Sequence, residues 1–225
     1  MIYAISDVHL PLGVDKPMDV FGKSWENYVY RLEENFFKFV KEDDTVIMPG
    51  DISWATYLEQ AVADFAFLNR LPGKKVITKG NHDYWWTTAS KLNQFLEENR
   101  FDKITFVHNN SYMAEGCAIC GCRGWITPRE KGFSAEDDKI YKREQIRMAL
   151  SLDHGLAQNP KKLIMAIHYP PYEGFCDVLQ RYDVDFCVYG HLHGDAARRA
   201  EKPWPRAQVV SCDYLEFSPF CLNNL

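Results

Sequence analysis

Histidine and acidic residues recur in this sequence directly after short apolar segments. Two of the seven histidines in this 225-residue chain, His191 and His193, follow the apolar segment CVYG. The same arrangement is repeated after four other apolar segments, where the polar residues are Asp7 and His9; Asp51; Asn81, His82 and Asp83; and His168. A histidine after a strand is usually a hydrogen-bonded loop residue, but that explanation requires five independent events. Because buried Asp and His carry a desolvation cost unless they are paired or metal-bound, the pattern indicates a shared metal site.

The types of these residues restrict the kind of metal site. Thiolates are absent from the set, which excludes a structural zinc knot and an iron–sulfur cluster. Imidazole nitrogen and carboxylate oxygen together are compatible with Mn, Fe, Zn or Ni, and the sequence leaves the choice open. Seven side chains are candidate ligands, which are Asp7, His9, Asp51, Asn81, His168, His191 and His193. Seven ligands are too many for one ion, so we expect two ions that share a carboxylate, an arrangement used for in-line displacement at phosphorus.

The elements that must position these residues alternate between strands and helices. Apolar segments predict strands at 2–6, 45–50, 74–80, 103–109, 111–116, 117–125, 162–171, 185–194 and 207–212. Amphipathic periodicity predicts helices over 24–40, 58–68, 87–98 and 136–153. This order indicates an α/β fold to which central hairpins add antiparallel strands. Ligand sites in such sheets form beyond the carboxyl ends of the strands, where all five groups of polar residues are expected.

The spacing within two of the groups gives a more specific expectation. Asp7 and His9 are two residues apart, as are His191 and His193. On an extended segment, side chains two residues apart point to the same side. We therefore expect each pair to share a side if its strand continues that far.

Composition limits the remaining function classes. The formal net charge is −5 and no run of Lys or Arg marks a nucleic-acid-binding tail. The N-terminal segment lacks the features of a signal peptide, and no apolar stretch is long enough to span a bilayer. Seven cysteines, an odd number, fit reduced thiols in the cytoplasm. Cys117, Cys120 and Cys122 could indicate zinc, but their apolar surroundings favour strand residues. No linker divides residues 1–225, so we expect one domain.

Five motifs in this chain, SDVH, GD, GNHD, IHYPP and GHLH, occur in an order and spacing that resemble the calcineurin-like metallophosphoesterase superfamily. The resemblance extends from residue 5 to residue 193 and implies an α/β fold, a two-sheet mixed β-sandwich flanked by helices. It implies two divalent or trivalent metal ions, each with its own ligands. Asp7, His9 and His193 would hold the first ion, Asn81, His168 and His191 the second, and Asp51 would bridge them.

The same resemblance implies a reaction, in which water or hydroxide held by the metals attacks phosphorus. His82 would face the phosphate, stabilise its charge and protonate the leaving oxygen. Asp83 would either orient His82 or support the loop. The expected function is therefore hydrolysis of a phosphomonoester or phosphodiester of a small molecule, with a nucleotide as one candidate. The expected partner is this small phosphate ester, and no association with a membrane is expected.

The departures from the superfamily narrow the function further. Its Ser/Thr protein phosphatases carry an Asp-Arg pair after the second motif and glutamate after Asn-His, whereas this chain reads GDISWA and GNHD. A protein phosphatase is therefore not expected. Because the sequence ends soon after the predicted core, we do not expect the capping domain of the DNA-repair nucleases. A simple nuclease and a non-catalytic metal or nucleotide sensor are the alternatives, and nucleic acid is not the favoured substrate.

Substrate contacts must come from residues outside the five motifs. Arg123 and Trp125, in the segment CRGWITPRE, are candidates because arginine can clamp phosphate and tryptophan can stack on a base. The alternative is a hairpin with a surface arginine and a packed tryptophan. Aromatic residues also follow the second and third motifs, and some of them are expected to line the cleft.

Overall fold

A computed structural model describes residues 1–222 of the chain. Within this part, ten strands form two five-stranded sheets. The strands are β1 (Ile2–Ala4), β2 (Thr45–Pro49), β3 (Lys74–Thr78), β4 (Ile104–Phe106), β5 (Ser111–Ala114), β6 (Cys117–Cys122), β7 (Lys162–Ile167), β8 (Phe186–Tyr189), β9 (Ala207–Val209) and β10 (Phe220–Cys221). The first sheet has the order β10-β1-β2-β3-β4 and the second has the order β5-β6-β7-β8-β9.

Each sheet combines parallel strands with one antiparallel strand at its edge. Strands β1 to β4 run parallel to one another, and so do β6 to β9. Strand β10 pairs antiparallel with β1, and β5 pairs antiparallel with β6. Parallel strands of one sheet end at the same edge, so the loops that follow them are neighbours.

Six α-helices and three short 3-10 helices connect the strands of the described chain. The α-helices are α1 (Tyr28–Phe39), α2 (Val62–Arg70), α3 (Ala89–Asn99), α4 (Ala135–Leu156), α5 (Gly174–Arg181) and α6 (Gly194–Arg199). The longest helix, α4, begins at a capping box in which Ser134 and Asp137 each accept a hydrogen bond from the other's backbone amide. No helix within residues 1–222 is long and apolar enough to cross a membrane.

Three apolar clusters hold the layers together. The sheets pack face to face through small and branched side chains such as Ile47, Val76 and Val188. The outer face of the first sheet is covered by α1 to α3, with Phe36 and Phe65 fully buried there. A third cluster joins the second sheet to α4 and α5. The result is the two-sheet mixed sandwich flanked by helices that the motif resemblance implied.

Several element predictions were wrong in detail. Helix α1 begins at Tyr28 rather than at residue 24, because Asn27 is left-handed (φ 53°) and separates it from the 3-10 helix Lys23–Trp25. Strand β4 joins the first sheet, parallel to β3, so β5 and β6 alone form the central hairpin. The short elements α5, α6 and β10 were missed because segments of two to eight residues carry too little periodicity.

The strand ends of the two sheets meet at one edge of the sandwich. Ser6, just after β1, forms a parallel bridge with Ser211, just after β9. His168, directly after β7, places its Nδ1 3.0 Å from the carbonyl oxygen of Pro49 at the end of β2. The edge therefore brings together loops from both sheets, and all five groups of polar residues lie on these loops.

Candidate metal centre

The loops after β1 and β2 run side by side and are joined through their backbones. The amide of Asp7 donates to the Gly50 carbonyl and the amide of His9 donates to the Asp51 carbonyl, both at 3.0 Å. Asp7, His9 and Asp51 have left-handed φ angles of 55°, 43° and 53°. Asp7 and His9 are therefore not on an extended segment, and the expectation that they share a side for that reason was wrong. Left-handed residues other than glycine carry strain, which often marks a functional site.

The last loop of the site departs from an extended strand in the same way. Strand β8 ends at Tyr189, and His191 has a φ of 68°. The pair His191 and His193 is therefore also not extended, and the strand predicted over 185–194 was too long. The curled loop brings the His191 amide to 3.1 Å from both carboxylate oxygens of Asp7.

Two glycines make room for the carboxylates. A Cβ at Gly80 would lie 2.1 Å from Asp51 Oδ1, and a Cβ at Gly190 would lie 2.2 Å from Asp7 Oδ2. Both distances are far shorter than a van der Waals contact. Glycine is therefore required at both positions because a carboxylate approaches the backbone closely, and not only because the chain turns there.

Asp83 is fully buried and ties the loops after β2 and β3 together. Its carboxylate accepts hydrogen bonds from the amides of Gly80 (2.7 Å), Ile52 (2.8 Å) and Asp51 (2.9 Å), and from Trp85 Nε1 (3.1 Å). No hydrogen bond joins Asp83 to His82 in the part of the chain that the structure describes. Of the two roles that the resemblance left open, these contacts favour support of the loop.

Asp7, His9 and His193 form what we call the first cluster. One ligand atom from each lies within 4.8 Å of the others. His193 Nε2 is 3.5 Å from Asp7 Oδ1, and the other ring nitrogen, Nδ1, is 3.0 Å from Asp213 Oδ1. Asp213 thus holds the imidazole so that Nε2 faces Asp7, which is how carboxylates orient metal-binding histidines.

Asp51, Asn81, His168 and His191 form the second cluster. Asn81 Oδ1 is 2.6 Å from His168 Nε2 and 3.0 Å from His191 Nδ1. Asp51 Oδ2 is 3.5 Å from His168 Nε2 and 3.8 Å from His9 Nε2, which places the Asp51 carboxylate between the two clusters. Ligand atoms of Asp7, Asp51 and His168 also lie within 4.8 Å of one another.

Burial dominates the electrostatics of these side chains. Desolvation, together with the charges of Asp7 and Asp83, raises the pKa of Asp51 to about 9. Burial lowers the pKa of His168 to about 3 and that of His191 to about 4. Burial also lowers the pKa of His193, but the hydrogen bond to Asp213 and the charge of Asp7 outweigh it, so the net pKa is raised. The lowered pKa values keep the His168 and His191 imidazoles neutral, and the ionised form of the nearby Asp51 carboxyl needs a positive charge beside it.

The geometry fits a bound cation in place of that missing positive charge. His168 must donate its Nδ1 proton to the Pro49 carbonyl, so its Nε2 lone pair faces the oxygens of Asn81 and Asp51. Three acceptor atoms facing one another are repulsive unless a cation lies between them. The buried Nδ1 of His9 also has no hydrogen-bond partner among the described residues. Cys117, Cys120 and Cys122 lie on β6, as expected of strand residues.

His82 lies beside the clusters rather than within them. Its ring centroid is 5.7 Å from that of His9 and 4.9 Å from that of Trp54, and its amide donates to Asp51 Oδ1 at 2.8 Å. The side chain is partly exposed. Burial and the positive charge of Lys16 lower its pKa. An imidazole at this place can reach a phosphate bound at the clusters without being a ligand itself.

Arg123 and Trp125, the predicted substrate contacts, lie on the second-cluster side of the site. The Arg123 amide carbonyl accepts from the backbone of His168 at 3.1 Å, and its guanidinium lies 4.3 Å above the Trp125 ring. Arg123 is 16% exposed and lies 3.6 Å from Glu144, while Trp125 donates to Asp137 at 3.0 Å. Both side chains have partners inside the protein, and their contact with substrate stays a prediction.

Of the aromatic residues that follow the motifs, Trp54 lines the cleft. Its ring stacks on that of His9, with 4.5 Å between centroids. Trp85 and Trp86 are buried packing residues, whereas Tyr57 and Tyr84 are exposed. Sequence reasoning missed Asp213, although it follows β9 at the same edge. The observation that polar residues follow apolar strands, extended to the strand predicted at 207–212, would have found it.

Comparison with known proteins assigns the fold. The family model described as calcineurin-like phosphoesterase matches residues 1–195. The chain belongs to the calcineurin-like phosphoesterase family. This family generally consists of metal-dependent hydrolases of phosphate esters, in agreement with the Asp and His clusters at the strand ends. Asp213 lies beyond the matched residues. A comparison with curated protein sequences found no match.

Solved structures share the fold of this family member at low sequence identity. A protein of unknown function from Aquifex aeolicus, AQ665, is 16% identical over 98% of this chain and 94% of its own, with a TM-score of 0.53. TT1561 from Thermus thermophilus is 14% identical over 86% of this chain and 81% of its own, with a TM-score of 0.54. The sulfate thiohydrolase SoxB from Thermus thermophilus is 12% identical, covers 93% of this chain and 51% of its own, and has a TM-score of 0.50.

Proposed function

We propose that this protein is a phosphohydrolase that uses two metal ions to cleave a phosphomonoester or phosphodiester of a small molecule. The observation that carries the proposal is the meeting of the first and second clusters around the Asp51 carboxylate, with His82 beside them. The first cluster and Asp51 would hold one ion, and the second cluster would hold the other. Mn, Fe, Zn and Ni all remain candidates for this donor set.

Two bound cations would supply Lewis acidity towards the phosphate oxygens and lower the pKa of the water that attacks phosphorus. The chain's own contribution is to fix seven ligands before the substrate arrives. Left-handed loops hold Asp7 and Asp51, and hydrogen bonds at the far ring nitrogens fix His168 and His193. Such preorganisation means that little rearrangement is needed as charge develops in the transition state.

His82 would act on the leaving group. As water oxygen bonds to phosphorus, the bond from phosphorus to the ester oxygen breaks, and that oxygen takes a proton from the imidazolium form of His82, which the negative charge of the phosphate would favour. The products are an alcohol and the phosphate, and His82 regains its proton from solvent. An acid in this position is typical of catalysis rather than of sensing, so a non-catalytic sensor is the weaker hypothesis.

The test uses purified protein that is stripped of metal and reloaded separately with Mn, Fe, Zn or Ni. Hydrolysis of p-nitrophenyl phosphate and of bis-p-nitrophenyl phosphate is measured side by side, with chelated protein as the control. We expect turnover by at least one metal form and none by the chelated protein. Failure of every form to cleave either ester, with two metals bound per chain, would contradict the proposal and favour the sensor. The ester that is cleaved faster would show whether the enzyme is a phosphatase or a phosphodiesterase. We also propose that the protein is located in the cytoplasm.

A further inference from the structure

A cavity of about 480 Å³ opens beside the first cluster. His9, His82 and His193 are among the residues that line it. Its walls are mainly aromatic or apolar, and they are formed by Met18, Phe21, Trp25 and Trp54, with the hydroxyl-bearing Ser24 among them. The volume is in the range of roughly 300–1,000 Å³ that is usual for small-molecule sites.

The back wall of the cavity is rigid. Trp25 is buried and packs edge-on against Tyr28 (5.1 Å between centroids) and Phe217 (5.4 Å). Trp54 is held by its stacking on His9 and by a hydrogen bond from its Nε1 to Met18 Sδ at 2.9 Å. The shape of the inner cavity is therefore set by packing that also supports the first cluster.

The front of the cavity is formed by a segment that has no such support. Phe21, at the end of the 3-10 helix Asp19–Phe21, is 63% exposed although it lines the cavity. A large apolar side chain at a pocket mouth gains burial when a ligand covers it. This exposure indicates that the occupant has an apolar surface of its own.

An unpaired positive charge lies near the same mouth. Lys16 Nζ is 3.4 Å from the centroid of the Trp54 ring, and the Trp54 ring adjoins His82. Lys16 is exposed and forms no ion pair with an acidic group within residues 1–222. An ammonium without an acidic neighbour beside a cavity attracts an anionic ligand.

We propose that this cavity binds the organic part of the substrate and that this part is a nucleoside, so that the substrate is a nucleotide. The inference rests on the proposed function, because the phosphate of the nucleotide would lie at the metal clusters. Aromatic walls favour a flat ring over a flexible chain. The Ser24 hydroxyl and the Asp213 carboxylate in the lining offer hydrogen-bond partners to a base or ribose. An acyl chain would cover the exposed Ser24 hydroxyl without offering it a hydrogen-bond partner.

The roles within the site follow from this placement. Phe21 and Ser24 would contact the nucleoside, and Lys16 would attract its phosphate. His82 lies where the cavity meets the clusters, which is where the oxygen between nucleoside and phosphorus would be. The nucleoside would then leave from the His82 side of the phosphate.

The test measures binding by calorimetry to manganese-loaded protein, with adenosine 5′-monophosphate, glycerol 3-phosphate and octyl phosphate as probes. We expect the nucleotide to bind roughly tenfold or more tightly than glycerol phosphate, because stacking of one base on an aromatic side chain usually contributes about that much or more to affinity. Phe21→Ala is expected to remove most of that preference and Ser24→Ala a smaller part. Tyr30→Ala, which removes an equally exposed aromatic side chain from α1 outside the cavity, is the control and is expected to change nothing.

Two results would overturn the inference. The first is equal affinity for nucleotide and glycerol phosphate, or a preference that survives Phe21→Ala. The second is tighter binding of octyl phosphate than of the nucleotide, which would assign the cavity to an alkyl chain. If either result is obtained and the protein still cleaves p-nitrophenyl esters, the nucleoside proposal is wrong but the proposed phosphohydrolase activity is retained. Absence of turnover of those esters by every metal form would instead contradict the proposed function, whatever the probes bind.

Discussion

The two sheets supply different chemistry to the metal centre. The first sheet, through the loops after β1, β2 and β3, contributes both carboxylates and the amide, along with His9 and His82. The second sheet, through the loops after β7 and β8, contributes three imidazoles. The carboxylate oxygens among the candidate ligands thus come from one half of the sandwich, and three of the four candidate imidazoles come from the other.

The two halves also fix their ligands by different means. The first-sheet loops are held by backbone amides that converge on Asp83 and by left-handed φ angles at Asp7 and Asp51. The second-sheet histidines are held through the ring nitrogen that faces away from the clusters, by Pro49 for His168 and by Asp213 for His193. Loss of a support is therefore expected to act on loop stability in the first sheet and on single-metal affinity in the second.

Exposure divides the site along another line. The side chain of His168 is completely buried, whereas that of His193 is 37% exposed beside the cavity. Asn81 and His191 of the second cluster are half-buried, and Asp7 and His9 of the first are buried, so His193 is the most exposed candidate ligand of the first cluster. His193 also lines the cavity, and we therefore propose that the substrate approaches from the side of the first cluster.

The largest expected effect comes from the carboxylate between the two halves. Asp51→Asn removes a charge that we place at both metal ions, and we expect activity on either p-nitrophenyl ester to fall roughly 10⁴-fold or more, since groups that act as a unit fail together. Metal content and steady-state rates are the measurements. Asp43→Asn, an exposed aspartate, is the control. Substantial activity in the Asp51 variant would contradict a shared carboxylate.

His82→Ala separates the acid from the metal ligands. We expect kcat to fall roughly 10²–10³-fold on phenyl phosphate, within the usual contribution of a general acid, while both metals stay bound. The loss should be smaller on p-nitrophenyl phosphate, because p-nitrophenolate needs little protonation. His154→Ala, on α4 and outside the site, is the control. An unchanged kcat on phenyl phosphate would show that His82 is not the acid.

Asp213→Asn tests whether Asp213 holds the His193 imidazole in the first cluster. The two carboxylate oxygens of Asp213 hold His193 and the Gly194 amide, and asparagine keeps only one acceptor oxygen. We therefore expect the manganese affinity at the first cluster to fall by about 10- to 100-fold. The other affinity should not change. Calorimetric titration of metal-free protein measures both constants. Asp195→Asn is a close control, since Asp195 pairs only with the exposed Arg198 and Arg199 in the described chain. Equal weakening of both affinities would contradict the assignment.

Asp83→Asn tests whether the Asp83 carboxylate supports the loops after β2 and β3. We expect it to have the smallest effect on the difference between the two metal affinities. The amide cannot accept as many hydrogen bonds, so we expect the free energy of unfolding to fall by about 1–3 kcal/mol. Denaturant titration of the metal-free protein measures it. Both metal affinities should decline together, in contrast to Asp213→Asn. An unfolding free energy equal to that of the wild type would argue against Asp83 as the loop support.

The sequence placed the seven candidate ligands at one edge of the fold, because each follows an apolar strand and parallel strands end at one edge, but it did not include Asp213 among the residues that meet there. It was not sufficient to predict how they meet. The left-handed turns at Asp7, His9 and His191 replaced the expected extended segments, since their conformation depends on contacts with Gly50, Asp51 and Asp7 from other loops. The cavity was also not predicted, because Met18, Phe21 and Ser24 in its walls belong to residues 11–24, which have no periodic pattern.

The most direct test of the account is the number and position of the metal ions. Crystals of manganese-loaded protein, measured at a wavelength where manganese scatters anomalously, would show each ion as a separate peak. We predict two peaks roughly 3.5–4 Å apart on either side of the Asp51 carboxylate. A single peak, or two peaks that Asp51 does not join, would contradict it.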